Sequence, residues 1–251
     1  MRKILLIGMG AGALEHLTLQ AVAAIRALDV VFLLEKEGAG KAELAALRRA
    51  VLERVRPEGG YRVAAATTPE RVIREDDYGR GIDDWRRDRG TVLADLVREG
   101  MGEHEVGGFL VWGDPCLYDG MIQSLNELNA EGLAMEFDVV TGVSSVAALT
   151  AAFRLPLNRI GESITITTAR QLKAMPPEAV TNCVVMLDGK AAFCALADTD
   201  LEIYWGAYLG TPDEILVHGT VREKADEITR TIERARAAKG WLMDTYLLRR
   251  P

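Results

Sequence analysis

The chain has 251 residues, 49% of them hydrophobic and 27% charged, which is typical of a globular protein with one large or two medium domains. Its net charge of -7 argues against nucleic-acid binding, because contact with phosphates requires a positive surface. The apolar run at 4–7 is too short for a secretory signal, and no run approaches the roughly 18 apolar residues that cross a bilayer. We therefore expect a cytoplasmic protein without nucleic-acid or membrane partners.

The first half alternates short apolar runs with longer helical patterns. Strands are predicted at 4–7, 30–34, 62–66, 109–112 and 137–140. Apolar strands separated by helices are typical of a parallel sheet that helices cover on both faces. We therefore predict an open α/β domain over residues 1–145.

The pattern changes in the second half. Strands are predicted at 163–168, 182–187, 202–209 and 240–248, and helices at 172–180 and 220–238. A mixed α+β domain over residues 146–251 is the simplest account. Residues 70–89 form a charged segment that is longer than an ordinary connection.

Cysteine and histidine give no metal-binding pattern. Cys116, Cys183 and Cys194 are too few and too irregularly spaced for a disulfide framework or a zinc site. The three histidines are equally scattered. We expect reduced, buried thiols and no metal.

A glycine-rich segment follows the first predicted strand. Gly8, Gly10 and Ala13 satisfy the spacing of dinucleotide-binding loops, in which glycine allows a close approach of the backbone to the ligand. Glu35 ends the second strand, where such folds place an acid that binds ribose. Taken alone, this segment favours NAD, so an NAD-dependent oxidoreductase is one alternative function.

Three further motifs follow the glycine loop in order. They are Trp112-Gly113-Asp114-Pro115-Cys116-Leu117-Tyr118 after the fourth strand, Thr141-Gly142-Val143-Ser144-Ser145 after the fifth, and Leu209-Gly210-Thr211-Pro212-Asp213-Glu214 in the second half. With the glycine loop and the pair Leu17-Thr18, they make the chain resemble the tetrapyrrole methylase family of S-adenosylmethionine-dependent methyltransferases. The chain departs from the family pattern at Ala11 and Ala13, which replace proline and aspartate, and at Thr141, which replaces proline.

The resemblance implies a fold, a cofactor and a site. The fold is a two-domain tetrapyrrole methylase fold that forms a homodimer, with the active site in the cleft between the domains, and the cofactor is S-adenosylmethionine. The implied cofactor contacts are Gly10, Ala11, Trp112, Gly113, Asp114, Leu117, Ser144, Ser145, Met186, Leu187, Leu209 and Gly210. A structural alternative is that residues 113–115 form only a turn and Ser144 only a helix N-cap. The strand pair Tyr204-Trp205 is a candidate for the dimer interface.

Within the family, the chain most resembles enzymes of aerobic cobalamin synthesis that methylate C1 of precorrin-5 and release acetate. This resemblance rests on Asp84-Trp85-Arg86 in the charged segment, on residues 185–189 and on the closing segment 240–250. A precorrin methyltransferase with a different acceptor carbon is the alternative within the family. The implied substrate is a tetrapyrrole.

A tetrapyrrole precursor carries many carboxylates, which arginine binds in a bidentate geometry. Arg80, Arg86 and Arg87 are therefore candidates for substrate binding, although they are also placed to pair with neighbouring aspartates at the surface. Removal of an acetyl group requires a base or a polarising donor.

We predict that Asp114 and Tyr118 lie near the substrate. His16 and His218 are further conceivable bases. No pair of these side chains shows a catalytic spacing, so the sequence assigns no general base.

Overall fold

The computed structural model describes residues 1–35, 41–69 and 78–251, with side chains for all of these except 41–44 and 78–84. The contacts divide the chain into a first unit of residues 1–10 and 14–143 and a second unit of residues 11–13 and 144–251. None of the described helices is both long enough and apolar enough to span a membrane.

The first unit is a five-stranded parallel sheet of order β3-β2-β4-β1-β5. Its elements are β1 (Arg2–Gly8), α1 (Leu19–Arg26), β2 (Val30–Glu35), α2 (Lys41–Val55), β3 (Arg62–Thr67), α3 (Tyr78–Gly100), β4 (Val106–Val111), α4 (Met121–Ala130) and β5 (Met135–Val140), with a 3₁₀ turn at Leu14–His16. Side chains of β1 alternate between two cores: Ile4 and Leu6 pack with α3 and α4, while Leu5 and Ile7 pack with α1 and α2. Because helices cover both faces, both faces are apolar, and the predicted parallel sheet is confirmed.

The second unit is a mixed sheet of order β6-β7-β10-β8-β9, in which only β6 and β7 are parallel. Its elements are α5 (Ser145–Phe153), β6 (Thr165–Thr168), α6 (Ala169–Leu172), β7 (Asn182–Met186), β8 (Glu202–Ala207), β9 (Ile215–Thr220), α7 (Val221–Lys239) and β10 (Asp244–Arg249), with 3₁₀ turns at Pro177–Ala179 and Ala192–Leu196. Trp205, Tyr246 and Phe193 are fully buried in its core. The predicted mixed α+β architecture is confirmed.

Three elements differ from what the sequence indicated. Of the helix predicted at 172–180, only Leu172 is α-helical, as the last residue of α6. Pro176 and Pro177 prevent an α-helix from running through the predicted range. Strand β9 was missed, although it pairs with β8 over its whole length. The charged segment 70–89 is helical from Tyr78 onward, and residues 70–77 lie outside the described residues.

Two predictions about burial also need correction. Cys183 is buried as expected, but Cys116 and Cys194 are exposed thiols. Trp205 is completely buried and donates a hydrogen bond to Asp244 Oδ2 at 3.0 Å. It is therefore a core residue and offers no surface to a partner.

Candidate active site

The glycine loop is joined to the loop that follows β4. Gly10 N–H donates to the Gly113 carbonyl at 3.2 Å, and Gly113 N–H donates to the Gly10 carbonyl at 2.9 Å. Met9 N–H continues the β1–β4 ladder to the Val111 carbonyl at 2.9 Å. Two segments that were predicted as cofactor loops therefore form one backbone unit.

A third loop, which follows β5, reaches the same place. A Cβ on Gly8 would lie 2.6 Å from the Gly142 nitrogen, and one on Gly142 would lie 2.2 Å from the Gly113 carbonyl oxygen. Only glycine allows backbones to approach this closely. The carboxyl ends of β4, β1 and β5 therefore converge on three glycines.

The loops after β1 and β4 lie where neighbouring strands lead to helices on opposite faces of the sheet. Strands β1 and β4 are neighbours, but the chain leaves β1 toward α1 on one face and leaves β4 toward α4 on the other. Open α/β sheets bind ligands at such a point, in the crevice beyond the carboxyl ends of the two strands. Gly10 and Gly113 border this crevice, and contact of either residue with a cofactor stays a prediction.

The geometry after the glycine loop differs from that of a dinucleotide site. In those folds the helix begins within the glycine motif, so that its N–H groups reach a pyrophosphate. Here a 3₁₀ turn intervenes, and α1 begins only at Leu19. The hydroxyl oxygen of the N-cap Thr18 accepts the Ala21 N–H at 3.0 Å, which satisfies one of the donors that a phosphate would use.

Asp114 shapes the loop that carries it. Its Oδ1 accepts the Cys116 N–H at 2.8 Å, and its carbonyl accepts the Leu117 N–H at 3.1 Å. Tyr118 follows with a φ of 54° and a side chain that is 47% exposed. The residues that we predicted near the substrate thus stand on a tight turn beside Gly113.

In the second unit, the serines lie at the start of α5. Ser144 Oγ accepts the Ala147 N–H at 3.3 Å, which makes Ser144 the N-cap. Ser145 Oγ accepts the Thr245 hydroxyl at 2.9 Å, and Thr245 is the partner of Met186 in the β10–β7 ladder. Ser145 and Met186, both predicted cofactor contacts, are therefore linked through Thr245.

Leu187 and Gly210 both lie in turns of the second unit with a positive φ, which strains the leucine but not the glycine. Leu187 has a φ of 58° and is 66% exposed, which is costly for a leucine. Gly210 has a φ of 74° and donates its N–H to Glu214 Oε2 at 2.7 Å. A Cβ on Gly12, next to Ala11, would lie 2.6 Å from the Leu209 carbonyl oxygen, so residues 11–13 pack on the turn at 209–211.

A buried carboxylate network beside these turns was not predicted. Asp188 is 3% exposed and accepts hydrogen bonds from Lys190 N–H, Ala192 N–H and the Tyr246 hydroxyl at 2.9, 2.7 and 2.7 Å. Burial raises the pKa of Tyr246 far above its usual range. Burial, with the nearby charge of Asp188, also raises the pKa of Asp244 to about 7. This network holds the chain that follows Leu187.

The predicted substrate arginines lie elsewhere in the first unit. Arg86 and Arg87 project from α3 into a groove of about 340 Å³ that Arg98 and the α4 residues Glu127 and Glu131 also line. Successive turns of two helices form this groove, and the loops after β1 and β4 do not line it. The side chain of Arg80 lies outside the described residues. Substrate binding by these arginines stays a prediction.

His16 lies against the glycine loop. A Cβ on Gly10 would lie 2.3 Å from His16 Cβ. Sequence reasoning treated His16 only as one conceivable base, because the 3₁₀ turn that folds it back onto Gly10 has no clear signal in the sequence.

Comparison with models of protein families identifies the family of this chain. The model of the family described as Tetrapyrrole (Corrin/Porphyrin) Methylases matches residues 3–225. The chain belongs to the tetrapyrrole methylase family. The resemblance predicted from the ordered motifs is confirmed.

This tetrapyrrole methylase has similar relatives over its whole length. It is 44% identical over 251 residues to a precorrin-6A synthase (deacetylating) of Sinorhizobium sp, covering 100% of this chain and 96% of the relative. It matches the crystal structure of a cobalamin synthesis related protein (CobF) from Corynebacterium diphtheriae with a TM-score of 0.84 and 36% identity, covering 99% and 98% of the two chains.

A more distant structure shares the fold of this tetrapyrrole methylase. It is a uroporphyrin-III C-methyl transferase from Thermus thermophilus complexed with S-adenyl homocysteine. The TM-score is 0.58 at 19% identity, and the match covers 98% of this chain and 97% of that chain.

Proposed function

We propose that this chain is an S-adenosylmethionine-dependent C-methyltransferase of cobalamin biosynthesis, which methylates C1 of precorrin-5 and releases acetate to give precorrin-6A. The observation that carries the proposal is the 44% identity, over the whole chain, to a precorrin-6A synthase (deacetylating). The tetrapyrrole methylase model, which matches residues 3–225, supports the same chemistry. The substrate is then a tetrapyrrole, and the protein acts in the cytoplasm as a homodimer.

S-adenosylmethionine suits the crevice beyond β1 and β4. Its methyl group is already activated on a sulfonium, so the protein has mainly to align the acceptor carbon, the methyl carbon and the sulfur. Such alignment supplies roughly 7–11 kcal/mol of a barrier. The backbone around Gly10 and Gly113 suits this task, because glycine leaves room for a ligand to approach and peptide groups carry no net charge.

We propose the cofactor contacts residue by residue. In the first unit they are Gly10, Trp112, Gly113, Asp114 and Leu117. In the second unit they are Ala11, Ser144, Ser145, Met186, Leu187, Leu209 and Gly210. The S-adenyl homocysteine in the Thermus thermophilus relative supports the choice of cofactor.

Loss of the acetyl group adds a second chemical step. Water adds to the acetyl carbonyl, the bond from that carbonyl to C1 breaks, and its electron pair stays on the macrocycle. This pair then forms the bond from C1 to the methyl carbon of the donor. One water and one S-adenosylmethionine enter, and acetate, S-adenosylhomocysteine and two protons leave.

Thermal unfolding with S-adenosylhomocysteine and with NAD tests the cofactor. A ligand that binds only the native state at 100 times its Kd stabilises it by about 2.7 kcal/mol. We expect S-adenosylhomocysteine to raise the unfolding temperature and NAD to leave it unchanged. Stabilisation by NAD alone would contradict the proposal and favour an oxidoreductase.

Turnover of precorrin-5 with S-adenosylmethionine tests the reaction. We expect mass spectrometry to show a product that has lost an acetyl group and gained a methyl group, with one acetate formed per turnover. A product that gains the methyl group but keeps the acetyl group would instead indicate a precorrin methyltransferase with another acceptor carbon.

A further inference from the structure

Two arginines approach β4 and the loop after it from opposite faces of the parallel sheet. Arg48 belongs to α2 and Arg89 to α3, and these helices pack on different faces. Arg48 Nε–H donates to the Leu110 carbonyl of β4 at 3.0 Å. Arg89 Nη2–H donates to Met121 Sδ at 2.8 Å, and Arg89 Nη1 lies 3.5 Å from the position of a Cβ on Gly120. Because the loop after a parallel strand lies at the carboxyl edge of the sheet, both guanidinium groups stand at this edge.

The sheet is open at this edge between β2 and β4. The two strands pair only as far as Phe32 and Phe109, although β2 continues to Glu35 and β4 to Val111. Strand β2 leads to α2 on one face, and β4 leads to α4 on the other. Open α/β sheets bind ligands beyond the carboxyl ends of neighbouring strands that diverge in this way. The two arginines come from the two faces that meet there.

Arg89 has a poor partner for a charged group. Its one hydrogen bond with the described residues goes to the thioether of Met121, which is a weak acceptor. Its guanidinium carbon lies 5.4 Å from the centre of the Trp85 ring, and Trp85 Nε1–H donates to the Pro69 carbonyl at 3.0 Å. Burial lowers the pKa of Arg89. A partly desolvated cation without a hydrogen-bonded counter-ion is destabilising, and such groups in native proteins call for an explanation.

The arginines share one nearby carboxylate among the described residues. Asp119 raises the pKa of both Arg48 and Arg89 against the effect of burial. Its Oδ1 already accepts the Met121 N–H at 2.8 Å, at the start of α4. Two cations beside one carboxylate leave an excess of positive charge at this place, in a chain whose net charge is -7. An anion is therefore favoured there by electrostatics.

A ligand can reach the Arg89 guanidinium. Arg48 and Arg89 are both partly exposed. Nε and Nη1 of Arg89 make no hydrogen bond with the described residues, and neither atom is among the buried unpartnered atoms of those residues. Both nitrogens therefore keep accessible surface and N–H donors for a ligand.

We propose that Arg89 binds a carboxylate side chain of the tetrapyrrole acceptor at the open end of β2 and β4, and that Arg48 adds a second positive charge to this subsite. The proposal rests on the proposed function, which makes the acceptor a tetrapyrrole with many carboxylates. Guanidinium binds carboxylate with directed, charge-assisted hydrogen bonds. The contact therefore orients the macrocycle as well as holding it.

Two measurements separate this proposal from the proposed function. The first is the Kd of uroporphyrin III, a stable tetrapyrrole whose peripheral groups all end in carboxylates, followed by quenching of tryptophan fluorescence. It requires no turnover, so it tests the subsite by itself. The second is KM and kcat with precorrin-5 and S-adenosylmethionine. Wild type that binds uroporphyrin III but does not turn over precorrin-5 would overturn the proposed reaction and leave the subsite standing.

The test variant is Arg89→Met, which removes the charge but keeps a side chain that packs on Trp85 and Met121. We expect the Kd of uroporphyrin III and the KM of precorrin-5 to rise about 10–100-fold, the usual effect of losing a charge-assisted hydrogen bond. The kcat should stay within about threefold, because the contact is equal in the ground and transition states. The second variant, Arg89→Lys, should fall between wild type and Arg89→Met, since it keeps the charge without the planar fork.

Arg98→Met is the matched control on the same helix, because Arg98 is exposed and lies 3.5 Å from Asp95. It should keep the wild-type Kd and KM. Arg89→Met should unfold in urea at least as late as wild type, because it removes a charge that burial disfavours. A loss of stability with unchanged binding would overturn the proposal, since Arg89 would then only support α4.

The Kd of S-adenosylhomocysteine tells the two possible carboxylates apart, because the cofactor also carries one. We expect Arg89→Met to leave this Kd within about threefold of wild type. The proposal is overturned if this Kd worsens by the same factor as that of uroporphyrin III, because Arg89 would then serve the cofactor or the loop. It is equally overturned if wild type does not bind uroporphyrin III, or if Arg89→Met binds it within about threefold of wild type.

Discussion

At the scale of single residues, Gly10 carries two constraints at once. Its φ of 82° disfavours any other residue, and His16 fills the space where a side chain would begin. We predict that Gly10→Ala lowers the free energy of unfolding by about 2–4 kcal/mol, from backbone strain and overpacking together. The variant should also lose affinity for S-adenosylhomocysteine. Urea unfolding and calorimetric titration measure the two effects.

Gly132→Ala is the matched control for this prediction. Gly132 also has a positive φ, of 94°, but an added Cβ would meet nothing within 4 Å. It should therefore show the backbone cost alone, about 1–2 kcal/mol, and bind S-adenosylhomocysteine like wild type. An equal loss in both variants would show that the contact with His16 contributes nothing.

Asp244 should make stability depend on pH. Its folded-state pKa is raised to about 7, whereas an unfolded aspartate titrates near pH 3.9. Between these values the folded state binds more protons, so stability falls as pH rises and levels off above about pH 7. Asp244→Asn keeps an acceptor for Trp205 Nε1 and removes the titration.

We therefore expect wild type to lose about 2 kcal/mol relative to Asp244→Asn between pH 5 and pH 8, as followed by urea unfolding. The variant should be the more stable protein at pH 8. The same loss in both proteins between these pH values would rule out Asp244 as the cause.

At the scale of elements, strands β2 and β4 separate toward their carboxyl ends. Their pairing stops at Phe32 and Phe109, and the next carbonyl of β4, Leu110, accepts the Arg48 Nε–H at 3.0 Å. Burial lowers the pKa of Arg48, a cost that the nearby charge of Asp119 reduces. Arg48 thus ties α2 to the strand that leads into the site.

We predict that Arg48→Met lowers the free energy of unfolding by about 1–3 kcal/mol, because it leaves a buried carbonyl without this donor. The neighbour Arg49 pairs with Glu35 at 3.5 Å at the surface, so Arg49→Met should cost at most about 1 kcal/mol. Urea unfolding of both variants gives the comparison. Similar losses would mean that the bond to Leu110 does not stabilise the sheet.

The elements also show what the sequence can predict. All five strands of the parallel sheet were predicted, because a strand buried on both faces forms a nearly continuous apolar run. Strand β9 was missed because its pattern, Ile215–Thr220, includes His218 and Gly219 and has only one clearly buried residue, Val217. The helical start of α3 was missed because its first turns are rich in Arg and Asp.

The candidate site was predictable only in part. The loops after β1, β4 and β5 were found from glycine motifs, whose spacing follows directly from the need for tight turns. The contact of His16 with Gly10 and the link from Ser145 through Thr245 to Met186 join residues whose proximity depends on the folded chain. Local pattern carries no information on such contacts.

At the scale of the whole molecule, the two units have separate cores. The core around Trp205 and Tyr246 contains only residues of the second unit, and all five strands of its sheet lie within residues 165–249. Residues 144–251 are numerous enough to bury a core of their own. We therefore predict that fragment 144–251 folds alone and unfolds cooperatively, with a free energy of about 5 kcal/mol or more.

Tryptophan fluorescence during urea unfolding, from the buried Trp205 together with Trp241, measures this transition. The fragment 146–251, which begins where we predicted the second domain from sequence, is the matched comparison. It lacks the N-cap Ser144 and the bond from Ser145 to Thr245, so it should be less stable by about 1–2 kcal/mol. If both fragments unfold in a broad transition without a native baseline, the second unit needs the rest of the chain to fold.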